Sequence, residues 1–446
     1  MKIIIAGDGE VGFHIAKLLS DEHHDITIVD PHRDLLEMLE SQTDLLTITG
    51  DSTSVSVLES AGVTEADLLI SVVHDERVNI VTAVLGKKLG AKRTICRVNN
   101  PEFLQPENKA MLKSLGVDSV ISPESIAARE VIDLLNQTAA TEVFDFSGGK
   151  LSLFLIKLDQ NAKVINRTLS QVALDYPALA FRAVAIHRQG KTIIPRGDDR
   201  FLVDDLAYVI TKPEGIDQMI ALSGKTRIDI KNVMIIGGGR IGRLSAMSLE
   251  HDFNLKVIDI SRERCEQLGS FLTKTLVING DARDMTLLED EGVRNMDAVI
   301  AVTRDSETNI LICLMARKYG VRRTIALVEN ITFIDIAQNM GIDTIINKKL
   351  ITASHIVRFT LDAQVTSIKC LNGVDADVLE FLVKEKSQVT HKRIRDIKFP
   401  SNAIIGGLVR NNEGLIAIGD LEVLPNDKVV VFSLPEAMSR VDKLFN

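Results

Sequence analysis

Short apolar runs alternate with helical patterns along the first 122 residues. The runs are rich in β-branched residues and read KIIIA, ITIVD, LLTIT, LLISVV, TICRV and DSVIS. Between them lie stretches such as VGFHIAKLLS and VNIVTAVLGKKLG, in which apolar residues recur every three or four positions. This alternation predicts parallel strands with helices on both faces of the sheet. Six such units that begin with a glycine loop predict the strand order of a Rossmann-like sheet.

The same pattern returns in the second half of the chain. Gly7 and Gly237 are 230 positions apart, and the same interval separates Asp51 from Asp281. The strings ITIVD and LKVID, TGD and NGD, and LISVVHDERVNI and VIAVTRDSETNI also correspond. A constant interval across separated strings indicates an internal duplication. We therefore predict an α/β protein with two tandem Rossmann-like, doubly wound parallel sheets.

A different pattern follows each predicted sheet. Apolar and polar residues alternate in LSLFLIKL, RAVAIHR, DVLEFLVKE and LIAIGD, and the turn signals GGK, RQGK and RNNEG separate such runs. These features predict small α+β tail modules with mostly antiparallel strands. The segment KPEGIDQMIALSGKTRID reads as a helix and a linker that joins the halves. The expected domains are nucleotide-binding modules at 1–140 and 230–364 and tail modules at 141–222 and 365–446.

Composition narrows the class of protein. The 446 residues exceed one ordinary core, and 45% of them are apolar, which indicates a globular protein. A net charge of −9 with both signs interspersed argues against a nucleic-acid binder. The four cysteines form no CxxC pair, so we expect reduced thiols. No apolar run reaches the roughly 20 residues of a membrane span, so we expect a cytoplasmic protein that reaches a membrane only through a partner.

Two glycine loops are the main chemical signal. A bare GxGxxG also fits an ordinary strand-to-helix turn, but here a strand precedes each loop, a helix follows it and an acid ends the next strand. Such loops direct the N–H groups of a helix start at a pyrophosphate. The first loop comprises Gly7, Asp8, Gly9, Glu10, Val11 and Gly12, and the second comprises Gly237, Gly238, Gly239, Arg240, Ile241 and Gly242.

An aspartate ends the second predicted strand of each half. Asp30 and Asp259 lie 18 and 17 residues after the third glycine of their loops. A carboxylate at this place accepts hydrogen bonds from a ribose diol and repels a 2′-phosphate, which favours NAD(H) or adenine nucleotides over NADP(H). The alternative is a solvated loop acid with no ligand.

Further candidate contacts lie where later strands end. Asp51 and Asp281 follow the third strands, where an adenine would lie, although Asp51 also suits a cap for the next helix. Arg97 ends the fifth strand and is a candidate phosphate contact or a surface ion pair, and its counterpart is Leu327. At the fourth strands, the switch point of the sheets, the candidates are Val73, His74, Thr303 and Arg304.

The two loops differ in charge. Asp8 and Glu10 place negative charge beside the first predicted phosphate site, whereas Arg240 places positive charge beside the second. We therefore expect the first half to take a dinucleotide with a two-charge pyrophosphate. The second half is expected to favour a more highly charged ligand such as ATP or ADP.

Catalytic signals are weak by comparison. A dehydrogenase needs a proton-transfer group near the nicotinamide. Tyr208 and Lys212 have a Tyr-x-x-x-Lys spacing, but they fall on a predicted strand of the tail, where four residues span about 13 Å. No HExxH or GxSxG motif occurs, and no catalytic or metal-ligating residue is predicted. The sequence favours a sensor without turnover; an NAD-dependent oxidoreductase and a nucleotide sensor acting on some other partner remain the alternatives.

The order of these motifs resembles a known family. The string MKIIIAGDGEVG…ITIVD…ITGDSTSVSVLESAGVTEADLLISVVHDERVNI…RVNNPEF is similar to modules that regulate potassium conductance. Its duplication with a tail after each copy resembles the TrkA family, the peripheral regulatory subunits of Trk-type potassium uptake systems. In that family a second basic residue commonly follows Arg97 two positions on, where this chain has Asn99.

The resemblance implies a function and a set of partners. It implies a homo-oligomeric ring, expected to be a tetramer, on the inner face of the cell membrane beneath a membrane-embedded Trk-type transport subunit. It implies NAD(H) and ATP or ADP in the Rossmann-like modules, potassium flux controlled allosterically, and cyclic di-AMP as a candidate ligand of the tails. By position it assigns the first nucleotide to Gly7–Val11, Asp30, Val73, His74 and Arg97, and the second to Gly237–Ile241 and Asp259. The helix at 123–138 would cross to a neighbouring subunit, or else pack on its own sheet.

Overall fold

We describe the protein from a computed structural model. It describes residues 1–7, 10–21, 24–40, 45–136, 143–176, 179–189, 191–224, 230–357, 359, 365–370 and 376–446. The predicted contacts Asp8 and Gly9 lie outside these residues, and so does the side chain of Glu10.

The first Rossmann-like module is built on a six-stranded parallel sheet. Its strands stand in the order β3-β2-β1-β4-β5-β6, so that strands are added on one side of β1 up to β3 and on its other side from β4. The strands are β1 (Lys2–Ala6), β2 (Asp25–Asp30), β3 (Leu46–Thr49), β4 (Leu68–Ser71), β5 (Arg93–Arg97) and β6 (Ser119–Ile121). The helices are α1 (Glu10–Asp21), α2 (Arg33–Glu40), α3 (Val55–Ser60), α4 (Glu76–Leu89), α5 (Pro106–Leu115) and α6 (Pro123–Asn136). This is the predicted Rossmann-like order, and its switch point lies beside the first glycine loop.

The first tail is a five-stranded antiparallel sheet in the order β10-β9-β11-β8-β7. Its strands are β7 (Val143–Phe146), β8 (Leu151–Lys157), β9 (Phe181–Arg188), β10 (Lys191–Ile193) and β11 (Leu206–Thr211), and its helices are α7 (Leu169–Asp175) and α8 (Ile216–Leu222). Met219, Ile220 and Leu222 of α8 lie in the core of this tail. The helix of the predicted linker is therefore an integral part of the tail.

The second module repeats the first. Its sheet has the order β14-β13-β12-β15-β16-β17. The strands are β12 (Asn232–Ile236), β13 (Asn254–Asp259), β14 (Leu276–Asn279), β15 (Ala298–Ala301), β16 (Arg323–Leu327) and β17 (Thr344–Ile346). The helices are α9 (Arg240–Leu249), α10 (Arg262–Phe271), α11 (Met285–Asp290), α12 (Ser306–Lys318), α13 (Thr332–Asn339) and α14 (Lys348–Val357). The duplication predicted from the constant interval is confirmed at the level of strand order.

The second tail has a five-stranded antiparallel sheet in the order β18-β19-β24-β21-β22 and a separate two-stranded pair, β20-β23. Its strands are β18 (Val365–Cys370), β19 (Asp377–Leu382), β20 (Lys392–Arg393), β21 (Ala403–Arg410), β22 (Glu413–Ile416), β23 (Glu422–Val423) and β24 (Lys428–Ser433). Helix α15 (Pro435–Phe445) covers one face with Met438, Val441 and Phe445.

The two tail sheets pack against each other. One continuous apolar cluster joins Phe146 and Leu151 of the first tail to Val378 and Phe432 of the second. The ring of Tyr208 lies 6.1 Å from the ring of Phe432, centroid to centroid. Gly406 lies in this contact, where an added Cβ would approach Ile210 Cδ1 to 2.1 Å. Each tail therefore buries one sheet face under its own helix and the other face against its duplicate.

An ion pair recurs in both tails at the same place. Arg188 donates to Asp205 and Arg410 donates to Asp427, each through Nε and Nη2 at 2.7–2.9 Å. The side chains of Asp205 and Asp427 are 0% and 1% exposed. Each guanidinium also donates to a backbone carbonyl, and each carboxylate accepts a backbone N–H three residues upstream. Because every carboxylate oxygen is paired, the buried charge is compensated.

The described residues form two compact units that do not follow chain order. The first comprises residues 1–128 and 347–360, and the second comprises 129–346 and 361–446. Helix α14 thus belongs to the first unit, where Ala353 and Ile356 share a core with Ile15 and Leu19 of α1. Burying an isoleucine side chain such as that of Ile356 contributes about 1.5–3 kcal/mol. The predicted module 230–364 therefore includes a helix that packs on the other module's sheet, while α6 has its residues 129–136 in the second unit.

No helix within the described residues is both long enough and apolar enough to traverse a lipid bilayer.

Candidate nucleotide-binding sites

The glycine loop that follows the first strand of each module adopts a backbone that favours glycine. Gly7 and Gly237 have φ angles of 114° and 102°. A Cβ on Gly237 would lie 2.9 Å from Thr303 N, and a Cβ on Gly7 would lie 3.0 Å from Val73 N. The first glycine is therefore required both by its φ angle and by the close approach of the segment after the fourth strand.

The third glycine brings the helix start against the loop. An added Cβ on Gly12 would lie 1.9 Å from Gly7 O, and one on Gly242 would lie 1.9 Å from Gly237 O. No side chain fits at either position unless the loop moves. The two glycines therefore fix the N-termini of α1 and α9 directly over the ends of β1 and β12.

The N-terminus of α9 lacks a side-chain cap. Its cap residue is Gly239, which makes no side-chain hydrogen bond. In contrast, Ser261, Asp284 and Asp305 each accept a backbone N–H at the starts of α10, α11 and α12. The first N–H groups of a helix have no partner within it. The start of α9 thus offers donors to an anion where the neighbouring helices satisfy their own.

The apolar residues of the loops face inward. Ile241 is 5% exposed, and Val11 packs against the core of the first module. These two predicted contacts therefore have only their backbone groups to offer a ligand. Arg240 is the first residue of α9 and is exposed, so its guanidinium is available at the helix start.

The aspartates predicted to contact a ribose are buried at equivalent places, and each accepts hydrogen bonds from the residues around it. Asp30 and Asp259 are each 4% exposed at the ends of β2 and β13. Asp30 Oδ1 accepts from the backbone N–H and Nδ1 of His32, at 2.9 and 2.7 Å. Asp259 Oδ2 accepts from Gly238 N at 2.7 Å, which ties the second glycine loop to β13. Burial argues against the alternative of a solvated loop acid.

The aspartates after the third strands organise tight turns. Asp51 Oδ1 accepts from the N–H and the hydroxyl of Thr53, both at 2.8 Å. The cap residue of α3 is Ser54, so Asp51 does not take the predicted alternative of a helix cap. Asp281 holds Arg283 in the same way, and these hydrogen bonds lower the pKa of both carboxyl groups.

The segments that follow the fourth strands lie at the switch points. Val73 and His74 lie two and three residues after the end of β4, and Thr303 and Arg304 lie two and three residues after the end of β15. His74 and Arg304 are exposed. Thr303 donates to Asn309 through its N–H and its hydroxyl. The structure thus brings the glycine loops and these segments to the same edge of each sheet.

Two buried asparagines form this edge, and sequence reasoning gave them no role. Asn79 donates to the carbonyls of Val73 and Arg97 at 2.8 and 3.0 Å, and Asn309 donates to those of Thr303 and Leu327. Each asparagine therefore fixes the carbonyls that follow two neighbouring strands. The signal that identifies them is their repetition at the 230-residue interval.

A second repeated contact holds the segment after the fifth strand. Glu76 Oε2 accepts from the backbone N–H groups of Asn99 and Asn100, at 2.6 and 2.8 Å. In the second module Ser306 takes the place of Glu76 and accepts from Glu329 N. The neighbouring Asp75 caps α4, and its hydrogen bonds from Arg77 lower the pKa of its carboxyl to about 2. The carboxylates of Asp75 and Glu76 therefore both stabilise the backbone around the first candidate site.

Arg97 forms an ion pair in this structure. Its Nη2 lies 3.1 Å from Glu124 Oε1 in the first turn of α6, and the two side chains are 13% and 11% exposed. The guanidinium Nε and Glu124 Oε2 are buried and make no hydrogen bond. The pair is therefore incompletely satisfied and lies at the carboxyl edge of β5, where the predicted phosphate contact belongs.

The Tyr-x-x-x-Lys spacing does not form a catalytic pair. Tyr208 is fully buried between the two tail sheets, and Lys212 lies 3.7 Å from Glu413. Both residues belong to the first tail, whereas the glycine loops belong to the Rossmann-like modules. Tyr208 lies on β11, as the sequence predicted, and Lys212 follows directly after that strand.

Comparison with known proteins agrees with this architecture. A model of the TrkA-N domain matches residues 3–123 and 233–348, and a model of the TrkA-C domain matches residues 153–224 and 378–446. Solved structures also share the fold. The chain titled "GsuK channel bound to NAD" superposes with a TM-score of 0.62 at 17% identity, over 100% of this chain and 78% of that one. The chain titled "Crystal structure of the GsuK bound to ADP" has a TM-score of 0.51 at 16% identity, over 80% and 68%.

Curated relatives match along the whole chain. The Trk system potassium uptake protein TrkA homolog 1 of Methanosarcina mazei is 32% identical over 454 aligned positions that cover 100% of both chains. The Trk system potassium uptake protein TrkA of Azorhizobium caulinodans is 31% identical and covers 100% of this chain and 98% of its own. The chain therefore belongs to the TrkA family of Trk system potassium uptake proteins.

Proposed function

We propose that this chain is the cytosolic regulatory subunit of a Trk-type potassium transporter and binds NAD(H) and ATP or ADP without turning them over. The observation that carries the proposal is the duplicated site: a glycine loop, an adjacent helix start and a buried aspartate at the edge of each sheet. The choice of a Trk-type transporter as the partner rests on the family to which the chain belongs. The quantity that we propose the chain regulates is potassium flux.

The residues present fit a nucleotide. The uncapped start of α9 offers N–H donors to a phosphate, and the glycines leave the space that a side chain would fill. A bound nucleotide controls a pore only if it binds two conformations with different affinity. Each module offers contacts from the glycine loop and from the segment after the fourth strand. A ligand that contacts both would favour one position of the loop relative to that segment. That preference is the proposed source of allosteric control.

The oxidoreductase alternative has no specific observation in its favour. Tyr208 is buried in the tails, and the buried carboxylates Asp30 and Asp259 are held by backbone and side-chain donors at the ribose position. A sensor acting on some other partner would use the same sites. The family assignment favours the transport subunit as the partner, and we propose that the chain lies at the inner face of the membrane.

Calorimetric titration of the purified full-length chain with NADH and then with ATP tests the proposal. We expect one NADH site and one separate ATP site per chain, with NADH absorbance unchanged on prolonged incubation. Co-purification with the transport subunit is expected from cells that produce both. Consumption of NADH, or the absence of binding by either nucleotide, would contradict the proposal.

The charge of the second loop makes a specific prediction. Replacing Arg240 by alanine removes an exposed cation at the start of α9. Hydrogen bonds to charged groups contribute about 1.5–3 kcal/mol, so we expect ATP affinity to fall about tenfold or more and NADH affinity at the first half to stay the same. Equal losses for ATP and NADH would contradict the proposed division between the halves. The matched control is Arg262→Ala, in the exposed first turn of the neighbouring helix.

Exposed apolar residues recur at equivalent places in the two modules and support assembly into a ring of copies. In the first module, Val81, Met111 and Leu115 are 45%, 49% and 47% exposed. Their counterparts Leu311, Ile336 and Met340 are 51%, 54% and 55% exposed. Apolar patches that are kept on a surface mark interaction sites. A second copy of this chain, with the same patches, is the proposed occupant.

Placing a charge on this surface tests the assembly. We expect Met340→Glu to shift the full-length chain to a smaller species in light scattering coupled to size-exclusion chromatography, because a carboxylate would lose its water at the contact. Met247→Glu is the control: Met247 is 46% exposed, but its counterpart in the first half is Lys17, so this position tolerates charge. Loss of the oligomer in both variants, or in neither, would argue against the surface. We propose that the ring is a tetramer, which the mass of the unmodified chain tests directly.

Cyclic di-AMP is proposed as a ligand of the tail modules on the family resemblance. The titration described above extends to it with the same protein.

A further inference from the structure

Helix α1 carries a partly buried histidine next to the residues that pack against α14. Ile15 and Leu19 of α1 share an apolar core with Ala353 and Ile356 of α14. His14 precedes this run, and its Nε2 is buried without a hydrogen-bond partner among the described residues. In a protonated imidazole both ring nitrogens are donors. A proton on this ring would therefore leave a buried N–H without an acceptor, which is unfavourable.

The charged groups that act on this imidazole are both cations. Lys349 lies in the first turn of α14, and Lys17 lies three residues after His14 on α1. Burial lowers the pKa of His14 below its ordinary value of 6.5, and repulsion from Lys349 and Lys17 lowers it further. Strands β1 and β2 also pack on α1, but among the described residues they contribute no charge that acts on the ring. His14 is therefore neutral at neutral pH and takes up a proton only in acid.

The second repeat has no histidine at this place. At the 230-position interval that relates Gly12 to Gly242, the residue equivalent to His14 is Leu244 of α9. A leucine is thus compatible with the same position of the duplicated helix. Helix formation after the glycine loop does not require the histidine, and a leucine in its place removes the titratable group while keeping an apolar side chain for the contact.

Helix α1 links this contact to the first candidate nucleotide site. The helix begins at the glycine loop, where Gly12 lies directly against Gly7 O. The N–H groups at its start are the proposed phosphate donors of the first half. Helix α14 is encoded by the second repeat, between β17 and β18. A change in how α14 packs on α1 is therefore a route by which the second repeat affects the donors of the first site.

We propose that the contact between α1 and α14 is a proton-sensitive switch, in which protonation of His14 loosens α14 from α1 and weakens nucleotide binding to the first half. The contact is most stable above about pH 6.5 and weakens as the pH falls below that value, because the undocked imidazole binds a proton more readily than the docked one. By reciprocity, a nucleotide bound at the start of α1 favours the docked, neutral form. The effect on nucleotides rests on the proposed function, whereas the loosening of α14 does not.

Hydrogen exchange of the full-length chain at about pH 7.5 and about pH 5.5 tests the loosening of α14. After correction for the intrinsic pH dependence of exchange, we expect the α14 amides of the unmodified chain to be at least about threefold less protected at the lower pH. His14→Leu should show no such difference. Lys17→Glu should reduce the difference, because a carboxylate one turn along the helix stabilises the protonated ring. The matched control is His251→Gln, since the side chain of His251 is 60% exposed in the second module and its loss should leave the pH response intact.

Calorimetric titration with NAD at the same two pH values tests the effect on the first site. We expect the affinity for NAD to fall at least about threefold at the lower pH in the unmodified chain, and the fall to be absent in His14→Leu. NAD is used instead of ATP because a terminal phosphate itself titrates near pH 6.

The outcomes separate the switch from the function that it would regulate. The same pH response of α14 in the unmodified chain and in His14→Leu would overturn the inference, and so would a fall in NAD affinity that is equal in both proteins. If NAD binds at neither pH, the proposed function fails, while hydrogen exchange still decides whether α14 responds to protons through His14. Circular dichroism at neutral pH verifies that each variant is folded.

Discussion

Replacing Gly242 by alanine is expected to abolish nucleotide binding to the second half, with a loss of affinity of about a hundredfold or more. The new Cβ would lie 1.9 Å from Gly237 O, a distance that real contacts do not reach, and its neighbour is backbone that cannot rotate away. The start of α9 must therefore move away from β12, which displaces the N–H groups that we propose contact the phosphates. Electrostatic contacts of this kind depend on preformed geometry. Calorimetric titration with ATP measures the loss.

The control for this substitution is another helical glycine in the same module. Gly269 lies in α10, and a Cβ there would meet nothing within 4 Å. Gly269→Ala should bind ATP normally and be slightly more stable, since alanine favours a helix by about 0.8–1 kcal/mol over glycine. NADH binding to the first half should also survive Gly242→Ala. If ATP affinity is unchanged in Gly242→Ala, the phosphates do not bind at this loop.

Replacing Asp427 by alanine is expected to destabilise the second tail by about 3 kcal/mol, because removing one member of a buried ion pair leaves the other uncompensated. Asp427 is 1% exposed, and it accepts from Arg410 and from Leu424 N. Arg410 remains a quarter exposed, so solvent offsets part of the loss. The chain has no tryptophan, so urea unfolding is followed by circular dichroism.

An exposed ion pair in the same tail provides the comparison. Arg395 and Asp420 lie 2.8 Å apart, but their side chains are 54% and 69% exposed. Exposed pairs contribute about 0–1 kcal/mol, so Asp420→Ala should unfold almost as the unmodified chain does. Similar losses in Asp427→Ala and Asp420→Ala would mean that burial of the pair is not what stabilises the tail.

Much of the fold is predictable from the sequence because its signals are local and occur twice. The runs KIIIA and ITIVD became β1 and β2, and the interval of 230 residues predicted a second sheet with the same strand order. Gly7 and Gly12 can be recognised in the sequence as parts of a glycine loop, because such loops require glycine at these places. Gly7 has a positive φ, and Gly12 makes a close backbone contact. Repetition did most to separate these signals from chance, since each half serves as a check on the other.

The remaining features depend on contacts between distant residues. Nothing in the sequence near Arg97 indicates that Glu124 lies beside it, because the pairing depends on how α6 begins after β6. Asn79 and Asn309 look like ordinary helix residues until the carbonyls of two strands are placed beside them. Asp259 pairs with Arg264, only five residues further along the chain. This ion pair could not be predicted from the sequence alone, because it depends on how the first turn of α10 is oriented relative to the end of β13.

The placement of α14 has a consequence for how such a chain holds together. This helix is encoded by the second repeat, at the position where the first repeat has α6, but it completes the core of the first unit through Ala353 and Ile356. Had the repeats remained separate molecules, the helix would have to arrive from a second chain, and its occupancy would vary with protein concentration, as in a domain-swapped dimer. A covalent tether sets an effective concentration on the order of millimolar instead. The duplication thereby makes the integrity of the first module independent of how much of the protein a cell produces.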